Sequence, residues 1–144
     1  MRHRIGLVVG LLLAVVVGCK QEPARRPTVQ VTGELYCDGE PAAGAMIFFI
    51  PTAGPDPLVP VNPTAQVRED GTFTIRTYTS SDGAPEGEYR LAIVWEELTD
   101  NPDEQLGGGK SKIPARYNDP NTSELRVTIT KGQPVLERIN ITRH

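Results

Sequence analysis

The two cysteines are the side chains of this sequence best suited to covalent chemistry, and their surroundings differ. Cys19 follows Gly18 at the end of a long apolar run, whereas Cys37 precedes the turn dipeptide Asp38-Gly39. A catalytic cysteine needs a base, usually a histidine, to form its thiolate. Beyond the apolar run, the only histidine is His144. We therefore predict that Cys37 is not a nucleophile and that the protein is not an enzyme.

The segment that precedes Cys19 has the pattern of an export signal. Arg2 and Arg4 precede an apolar run of 13 residues, 5–17. At about 1.5 Å per residue this run spans roughly 20 Å of a hydrocarbon core about 30 Å thick, so it has the size of a signal h-region. The sequence Val16-Val-Gly-Cys19 resembles the bacterial lipobox, in which the cysteine is acylated after cleavage. That resemblance implies a lipid on Cys19. The alternative is an ordinary secretory signal, which the bulky Val16 disfavours.

These features divide the chain into a signal peptide at 1–18, an extended tether at 19–27 and one domain at 28–144. The tether contains two prolines and no large apolar residue, and at about 3 Å per residue it is predicted to hold the domain some 25 Å from the lipid. Arg25 and Arg26 would also attract anionic head groups. Lys20 stands where some bacteria use aspartate for inner-membrane retention, which favours the outer membrane or the periplasmic face of the envelope.

The composition of the mature chain excludes some classes of function. Removal of 18 residues leaves 126, the size of one domain. The leader takes two arginines with it, so 13 basic side chains remain against 18 acidic ones, a net charge of −5. This balance lacks the basic footprint of a nucleic-acid-binding protein. Once Cys19 is acylated, Cys37 has no partner for an internal disulfide, so the core must hold the fold.

Alternation of apolar and polar residues dominates the domain and predicts an all-β fold. Tyr89, Leu91, Ile93 and Trp95 share one face of the strongest strand, and Phe73 and Ile75 point inward from another. Residues 45–50 are apolar on both faces, as in a central strand covered on both sides. Asp70-Gly71 predicts a type I′ hairpin turn. The seven predicted strands are 28–36, 45–50, 64–68, 72–77, 88–96, 125–129 and 135–142. With frequent turn residues and no helical stripe, they predict a single seven-stranded Greek-key β-sandwich.

Several turn motifs, in order, resemble those of transthyretin-like (prealbumin-like), carboxypeptidase regulatory-like domains. Residues 29–51 contain the family's "V-x-G" strand and "D-G-x-P-x-x-G-A" turn, and 69–75 resemble its "D-G-x-F" hairpin. Residues 85–94 are similar to its "P-x-G-x-Y" entry to the main core strand. Residues 113–129 resemble a version common among short planctomycete lipoproteins. The resemblance covers nearly all of 28–142 and implies a non-catalytic binding, folding or structural module.

Two activities of similar sandwich domains lack the residues they need here. Transthyretin-like hydrolases of 5-hydroxyisourate use histidines and end in Tyr-Arg-Gly-Ser, whereas this chain ends in Asn140-Ile-Thr-Arg-His144. Other surface domains form a Lys–Asn isopeptide, which needs a buried pair beside an acid. Asn140 alternates away from Ile139 and Ile141, so we expect it to face solvent.

Two further motifs are better explained as loops and turns. Gly107-Gly-Gly-Lys-Ser111 resembles part of a phosphate-binding loop, but Glu104 stands where that motif needs its first glycine and Pro114 interrupts any following helix. Asp38, Asp70 and Asp82 each precede a glycine, and a cluster of them would suit calcium. Asp-Gly is also an ordinary turn dipeptide and no calcium-loop spacing is present, so we predict no metal and no cofactor.

Two irregular stretches remain as places for a partner. Residues 51–63 contain five prolines and are predicted to form a stiff, extended loop. The long connection 97–123 includes Arg116 and Tyr117, which we select as the candidate partner surface because long loops in compact domains are often functional. The alternative is that this pair only packs the connection against the sandwich.

The sequence therefore predicts a lipid-anchored cell-envelope protein whose β-sandwich is a non-catalytic binding or structural module. Its partners would be the membrane, through acylated Cys19, and an envelope protein or a carbohydrate. One alternative is an accessory subunit for carbohydrate binding or for assembly of an envelope complex. Another, less favoured, is an enzyme whose site has no recognisable motif.

Overall fold

The structure, a computed structural model, describes residues 24–97 and 109–144. The signal peptide, Cys19 and most of the glycine-rich segment lie outside the described residues. Within them the chain forms eight β-strands and one short 3-10 helix at Ala115–Asn118. The strands are β1 Thr32–Cys37, β2 Glu40–Pro41, β3 Met46–Pro51, β4 Thr64–Gln66, β5 Thr72–Thr74, β6 Gly87–Val94, β7 Arg126–Ile129 and β8 Ile139–Ile141. The described part of the chain contains no helix long and apolar enough to cross a bilayer.

The strands form two four-stranded sheets packed as a sandwich, which confirms the predicted all-β fold class. In the first sheet β1 is central, with β8 parallel to it on one side and β5 and β2 antiparallel on the other. The second sheet is antiparallel, in the order β4-β3-β6-β7. The β4–β5 hairpin connects the sheets at one side. Seven strands correspond to the predicted seven, and the two-residue β2 is an addition from a segment predicted as turn.

The core lies between the inner faces that the alternation predicts. Leu35, Ile47, Phe49 and Phe73 have no exposed surface, and the face formed by Tyr89, Leu91, Ile93 and Trp95 is buried as expected. Phe49 contacts the rings of Phe73 and Tyr89 at centroid distances of 6.3 Å and 6.2 Å. The outer face of β3 is different, because Met46, Phe48 and Ile50 are only half-buried. The prediction of a strand fully covered on both faces is therefore wrong.

We expect Phe73→Ala to lower the free energy of unfolding by about 3–5 kcal/mol, because it removes a buried ring and leaves a cavity. The ring lies against Gly33, whose missing Cβ leaves the space that the ring occupies. Urea denaturation monitored by Trp95 fluorescence measures the change. Phe48→Ala, at a half-buried position, is the matched control and should cost clearly less. Equal losses would contradict the assignment of Phe73 to the core.

The β4–β5 turn differs from the predicted type I′ geometry. Type I′ needs positive φ at both central residues, and Asp70 is not among the described non-glycine residues with positive φ. Arg68 and Thr72 instead close a three-residue loop in which Gly71 alone has φ +86°. A type I′ pair occurs at Asp38 (φ 50°) and Gly39 (φ 83°), which connect β1 to β2. The prediction is thus wrong for Asp70-Gly71.

The first and last strands are shorter than predicted. β1 begins at Thr32, and Val29 instead pairs with Ala84 in an isolated bridge. The predicted strand 135–142 is reduced to β8, preceded by a bridge between Val135 and Thr32. Ile139 and Ile141 are buried and Asn140 is exposed, which confirms the predicted alternation of that segment.

Candidate functional site

The sandwich has two ends, separated by the length of its longest strand. The tether end is where β1 begins; it carries residues 24–31, the loop 51–63 and the segment 76–86. The far end is where β1 finishes; it carries Trp95, Arg116, Tyr117 and Arg143. The eight residues of β6 extend over about 26 Å between these ends.

Arg116 and Tyr117, the candidate partner residues, lie in the 3-10 helix at the far end. The Arg116 guanidinium stacks on the Tyr117 ring at 4.7 Å from its centroid. Its Nη2 atom donates to the Thr142 hydroxyl at 3.1 Å and to the His144 carbonyl at 2.9 Å. Arg116 is exposed, whereas Tyr117 is 7% exposed. The pair therefore fastens the segment after β8, and the surface it offers a partner comes mainly from Arg116.

The Tyr117 hydroxyl is a polar junction at the far end. It accepts hydrogen bonds from the Thr142 amide and from Arg116 Nη2, both at 3.2 Å. Burial raises the pKa of Tyr117, but the hydrogen bonds from Thr142 and Arg116 stabilise the phenolate more, so the net direction is down. This geometry supports the alternative that the pair packs the connection against the sandwich. A partner role for Arg116 and Tyr117 stays a prediction.

Two more cationic side chains of the far end lie against the Trp95 ring. Its indole Nε1 donates to the Ala43 carbonyl at 2.9 Å. The Lys112 ammonium lies 5.1 Å from its ring centroid and the Arg143 guanidinium 5.8 Å from it. Arg143 also forms an ion pair with Asp38 at 3.3 Å. Strand periodicity predicts a core position for Trp95 but not this arrangement, because it does not show which side chains meet at a strand end.

The base of the long connection 97–123 is held by a short antiparallel pairing. The Glu97 amide donates to the Lys110 carbonyl at 2.9 Å, and the Lys112 amide donates to the Trp95 carbonyl at 2.8 Å. Lys110 and Ser111, the described end of the suspected phosphate motif, therefore lie in this pairing. They do not lie at the N-terminus of a helix whose amides would bind phosphate, since the 3-10 helix begins only at Ala115.

Cys37 is the last residue of β1 and its side chain has no exposed surface. Its Sγ atom donates a weak hydrogen bond to the Asp38 carboxylate at 3.8 Å. Burial is the main cause of a raised pKa for this thiol, and it outweighs the opposing effect of Arg143. The environment therefore favours the protonated thiol over the reactive thiolate.

The three Asp-Gly aspartates lie apart and each stabilises local structure. Asp38 pairs with Arg143, and Asp70 accepts hydrogen bonds from the Thr72 amide and hydroxyl. Asp82 accepts from three consecutive backbone amides, those of residues 77–79, at 2.7, 2.9 and 3.1 Å. Among residues 24–97 and 109–144, no three histidine, cysteine or acidic side chains come close enough to share a metal ion.

An open groove of about 350 Å³ lies between β7 and β8. β7 pairs only with β6 and β8 only with β1 among the described strands, so each presents an unpaired edge. The groove floor includes buried Leu91, Leu136 and Ile139, and Arg126 and Thr128 stand exposed beside it. The groove has no signal in the sequence, because nothing in a strand's own residues shows that it will be an edge in the folded sheet.

Comparison with known proteins does not assign the chain to a family. No protein-family model and no curated protein matches it. It is similar to the crystal structure of a variant of BcpA, the major pilin subunit of Bacillus cereus, with a TM-score of 0.48 and 15% sequence identity. The match covers 81% of this chain and 30% of the pilin, so the chain spans less than a third of that protein's length.

Proposed function

We propose that this protein is a lipid-anchored component of the cell envelope whose β-sandwich is a non-catalytic module that binds another envelope protein. The observation that carries the proposal is the groove between β7 and β8. It combines two unpaired strand edges with an apolar floor, and an extended segment of a partner would add to such an edge through backbone hydrogen bonds. Pockets for alternate side chains of that segment would supply specificity.

The sandwich is proposed to be a carboxypeptidase regulatory-like (transthyretin-like) domain. The "D-G-x-P" motif forms the β1–β2 turn at Asp38-Gly39, and the "D-G-x-F" motif forms the β4–β5 hairpin. In the "P-x-G-x-Y" motif, the buried Tyr89 hydroxyl donates to the Pro85 carbonyl at 2.7 Å. Each motif thus has a structural task, which supports the family assignment.

The unpaired edges favour an accessory role in envelope-complex assembly over carbohydrate binding. Carbohydrate sites usually present the exposed face of an aromatic ring. Trp95 is 7% exposed and its ring is flanked by Lys112 and Arg143, so it offers little such surface. A strand edge, in contrast, suits a peptide.

We expect a photocrosslinking side chain at Thr128 to capture one stoichiometric protein partner in intact cells. Thr128 is exposed and lies beside the groove, so a segment paired with β7 would contact it directly. Mass spectrometry of the crosslinked band identifies the partner. The matched control is the same side chain at Glu69, which is exposed in the β4–β5 loop away from the groove. A crosslinking pattern at Thr128 identical to that at Glu69 would contradict the proposed binding groove.

A further inference from the structure

The described end of the tether is attached to the domain. The Arg25 guanidinium lies over the Tyr78 ring, 5.0 Å from its centroid. The next residue, Arg26, forms an ion pair with the Asp56 carboxylate. Tyr78 and Asp56 belong to the tether end of the sandwich. Residues 24–27 are exposed to solvent, and Arg25 and Arg26 nevertheless have partners on the domain.

The two residues that the tether contacts, Asp56 and Tyr78, both form hydrogen bonds with Leu58 of the proline-rich loop 51–63. The Asp56 carboxylate accepts from the Leu58 amide at 2.9 Å, and the Tyr78 hydroxyl donates to the Leu58 carbonyl at 3.0 Å. The Val59 amide also donates to the Asp56 carbonyl at 2.9 Å. Since prolines fix φ, these bonds hold the loop in one shape. Most of the side chains that this shape leaves exposed are apolar, and the largest are Leu58, which is 40% exposed, and Val61, which is 51% exposed. Thr52 and Asn62 are the exposed polar residues of the loop.

The tether contacts also limit how far the loop can be from the lipid on Cys19. Five residue steps separate Cys19 from Ala24, and a fully extended chain covers at most about 18 Å in five steps. While Arg25 and Arg26 keep their contacts with the domain, the rest of the tether does not add to this distance. The tether end, with its exposed Leu58 and Val61, is therefore the part of the sandwich nearest to the anchor.

Most acidic side chains at the tether end have partners. Asp56 pairs with Arg26, and Glu86 lies 3.9 Å from the Lys131 ammonium. The Asp82 carboxylate accepts hydrogen bonds from three backbone amides. Beside Val61 lies a shallow depression of about 420 Å³, lined by Arg76 and by the hydroxyls of threonines 64, 77 and 79 and of Ser80. Exposed apolar side chains next to hydroxyl groups and an arginine suit the bilayer interface, where acyl chains meet polar head groups.

From these observations we infer that the proline-rich loop is a membrane-contacting surface: Leu58 and Val61 insert into the interfacial region of the bilayer that holds the lipid on Cys19. This inference rests on the proposed lipid anchor. The loop then fixes the orientation of the sandwich, with the tether end on the bilayer and the far end, including Arg116, directed outward. The anchor supplies attachment, and the loop supplies orientation.

The test measures the depth of the loop in the acylated, full mature chain reconstituted into phospholipid vesicles. An environment-sensitive fluorophore is attached to Val61→Cys and, as a control, to Glu69→Cys at the far end. Cys37 is fully buried, so labelling is directed to the introduced thiol, and mass spectrometry counts the labels. We expect nitroxide-bearing lipids to quench the Val61 probe several-fold more strongly than the Glu69 probe.

The outcomes separate this inference from the proposed anchor. If the protein floats with vesicles and the two probes are quenched equally, the loop does not contact the bilayer and the inference is wrong. If the Val61 probe becomes shielded from water only when the amount of protein per vesicle is raised, the loop binds a second copy of the protein. The inference is then also wrong. Failure of the protein to float with vesicles would overturn the anchor itself.

A matched pair of variants tests the tether contact. Asp56→Ala removes the acceptor for Arg26 and for the Leu58 amide. Asp119→Ala removes a carboxylate that likewise accepts from a backbone amide two residues on, that of Asn121 at 2.8 Å, at the far end. We expect Asp56→Ala to reduce quenching of the Val61 probe severalfold and Asp119→Ala to leave it unchanged. No reduction in Asp56→Ala would show that the tether contact does not orient the loop.

Discussion

Replacing Cys19 by alanine is expected to abolish fatty-acid labelling of the protein and to move it from the membrane fraction to the soluble fraction. Under the proposed anchor, attachment depends on acyl chains, each of whose buried methylenes contributes about 0.8 kcal/mol. Loss of the thiol removes all of that free energy at once. The contact of Leu58 and Val61 alone is too small to retain the protein. Metabolic labelling with a radioactive fatty acid, followed by fractionation, measures both effects.

Cys37→Ala is the matched control for this experiment. Cys37 is buried and ends β1, so its replacement should leave labelling and fractionation unchanged. Persistent labelling of Cys19→Ala, or its loss in Cys37→Ala, would contradict the assignment of the lipid to Cys19.

Gly83→Ala is expected to lower the free energy of unfolding by about 3–5 kcal/mol, the sum of backbone strain and of broken hydrogen bonds. Gly83 has φ +88°, and a Cβ there would overlap the Val29 carbonyl and lie 2.8 Å from the Gln30 nitrogen. These atoms are backbone, so no side-chain rotation relieves the overlap. Relief requires separation of Val29 from Ala84, which exchange two hydrogen bonds of 2.8 Å and 3.1 Å. Such a loss is a large fraction of the roughly 5–15 kcal/mol by which domains are stable.

Comparison with Gly44→Ala separates the cost of the steric overlap at Gly83 from the cost of positive φ. Gly44 has φ +85°, close to that of Gly83, but no atom lies within 4 Å of its would-be Cβ. It should therefore cost only the strain of positive φ, about 1–2 kcal/mol. Thermal or urea unfolding of the two variants gives the difference. Equal unfolding midpoints would contradict the close approach of Val29 to Gly83.

The fold was predictable because its strands alternate clearly between core and solvent. Inward positions such as Leu91, Ile93 and Phe73 are apolar, and a one-residue slip would expose all of them. Turn residues between the strands set their approximate limits. Strand ends were less predictable. Val135 is 60% exposed and pairs with Thr32 only in an isolated bridge, so its apolar character extended the predicted last strand beyond the three residues of β8.

Backbone details depended on neighbours that the sequence does not show. Asp-Gly occurs at both 38–39 and 70–71, yet only the first pair has positive φ at both residues. The second is closed by the Arg68–Thr72 pairing, so Gly71 alone takes positive φ. The same dipeptide thus adopts two geometries, because the number of residues between the paired strand ends differs.

The candidate site was predictable only in part. Arg116 and Tyr117 were selected for their place in a long connection, and the structure shows them holding the segment after β8. Their contacts with Thr142 and His144 join parts of the chain 26 and 28 residues apart. The groove between β7 and β8 had no signal in the sequence. A strand is an edge when no further strand pairs with it, and that depends on the whole sheet.

By itself the sequence determined the pattern of inward side chains, and with it the all-β sandwich, because burial of alternate residues is a local property of each strand. It also determined the motif from which the Cys19 anchor is proposed. Only the tertiary structure decided that Cys37 is enclosed, that β7 and β8 are edges among the described strands, and that Arg25 and Arg26 reach Tyr78 and Asp56. Those outcomes depend on contacts between residues distant in the chain, which become neighbours only when the two sheets pack.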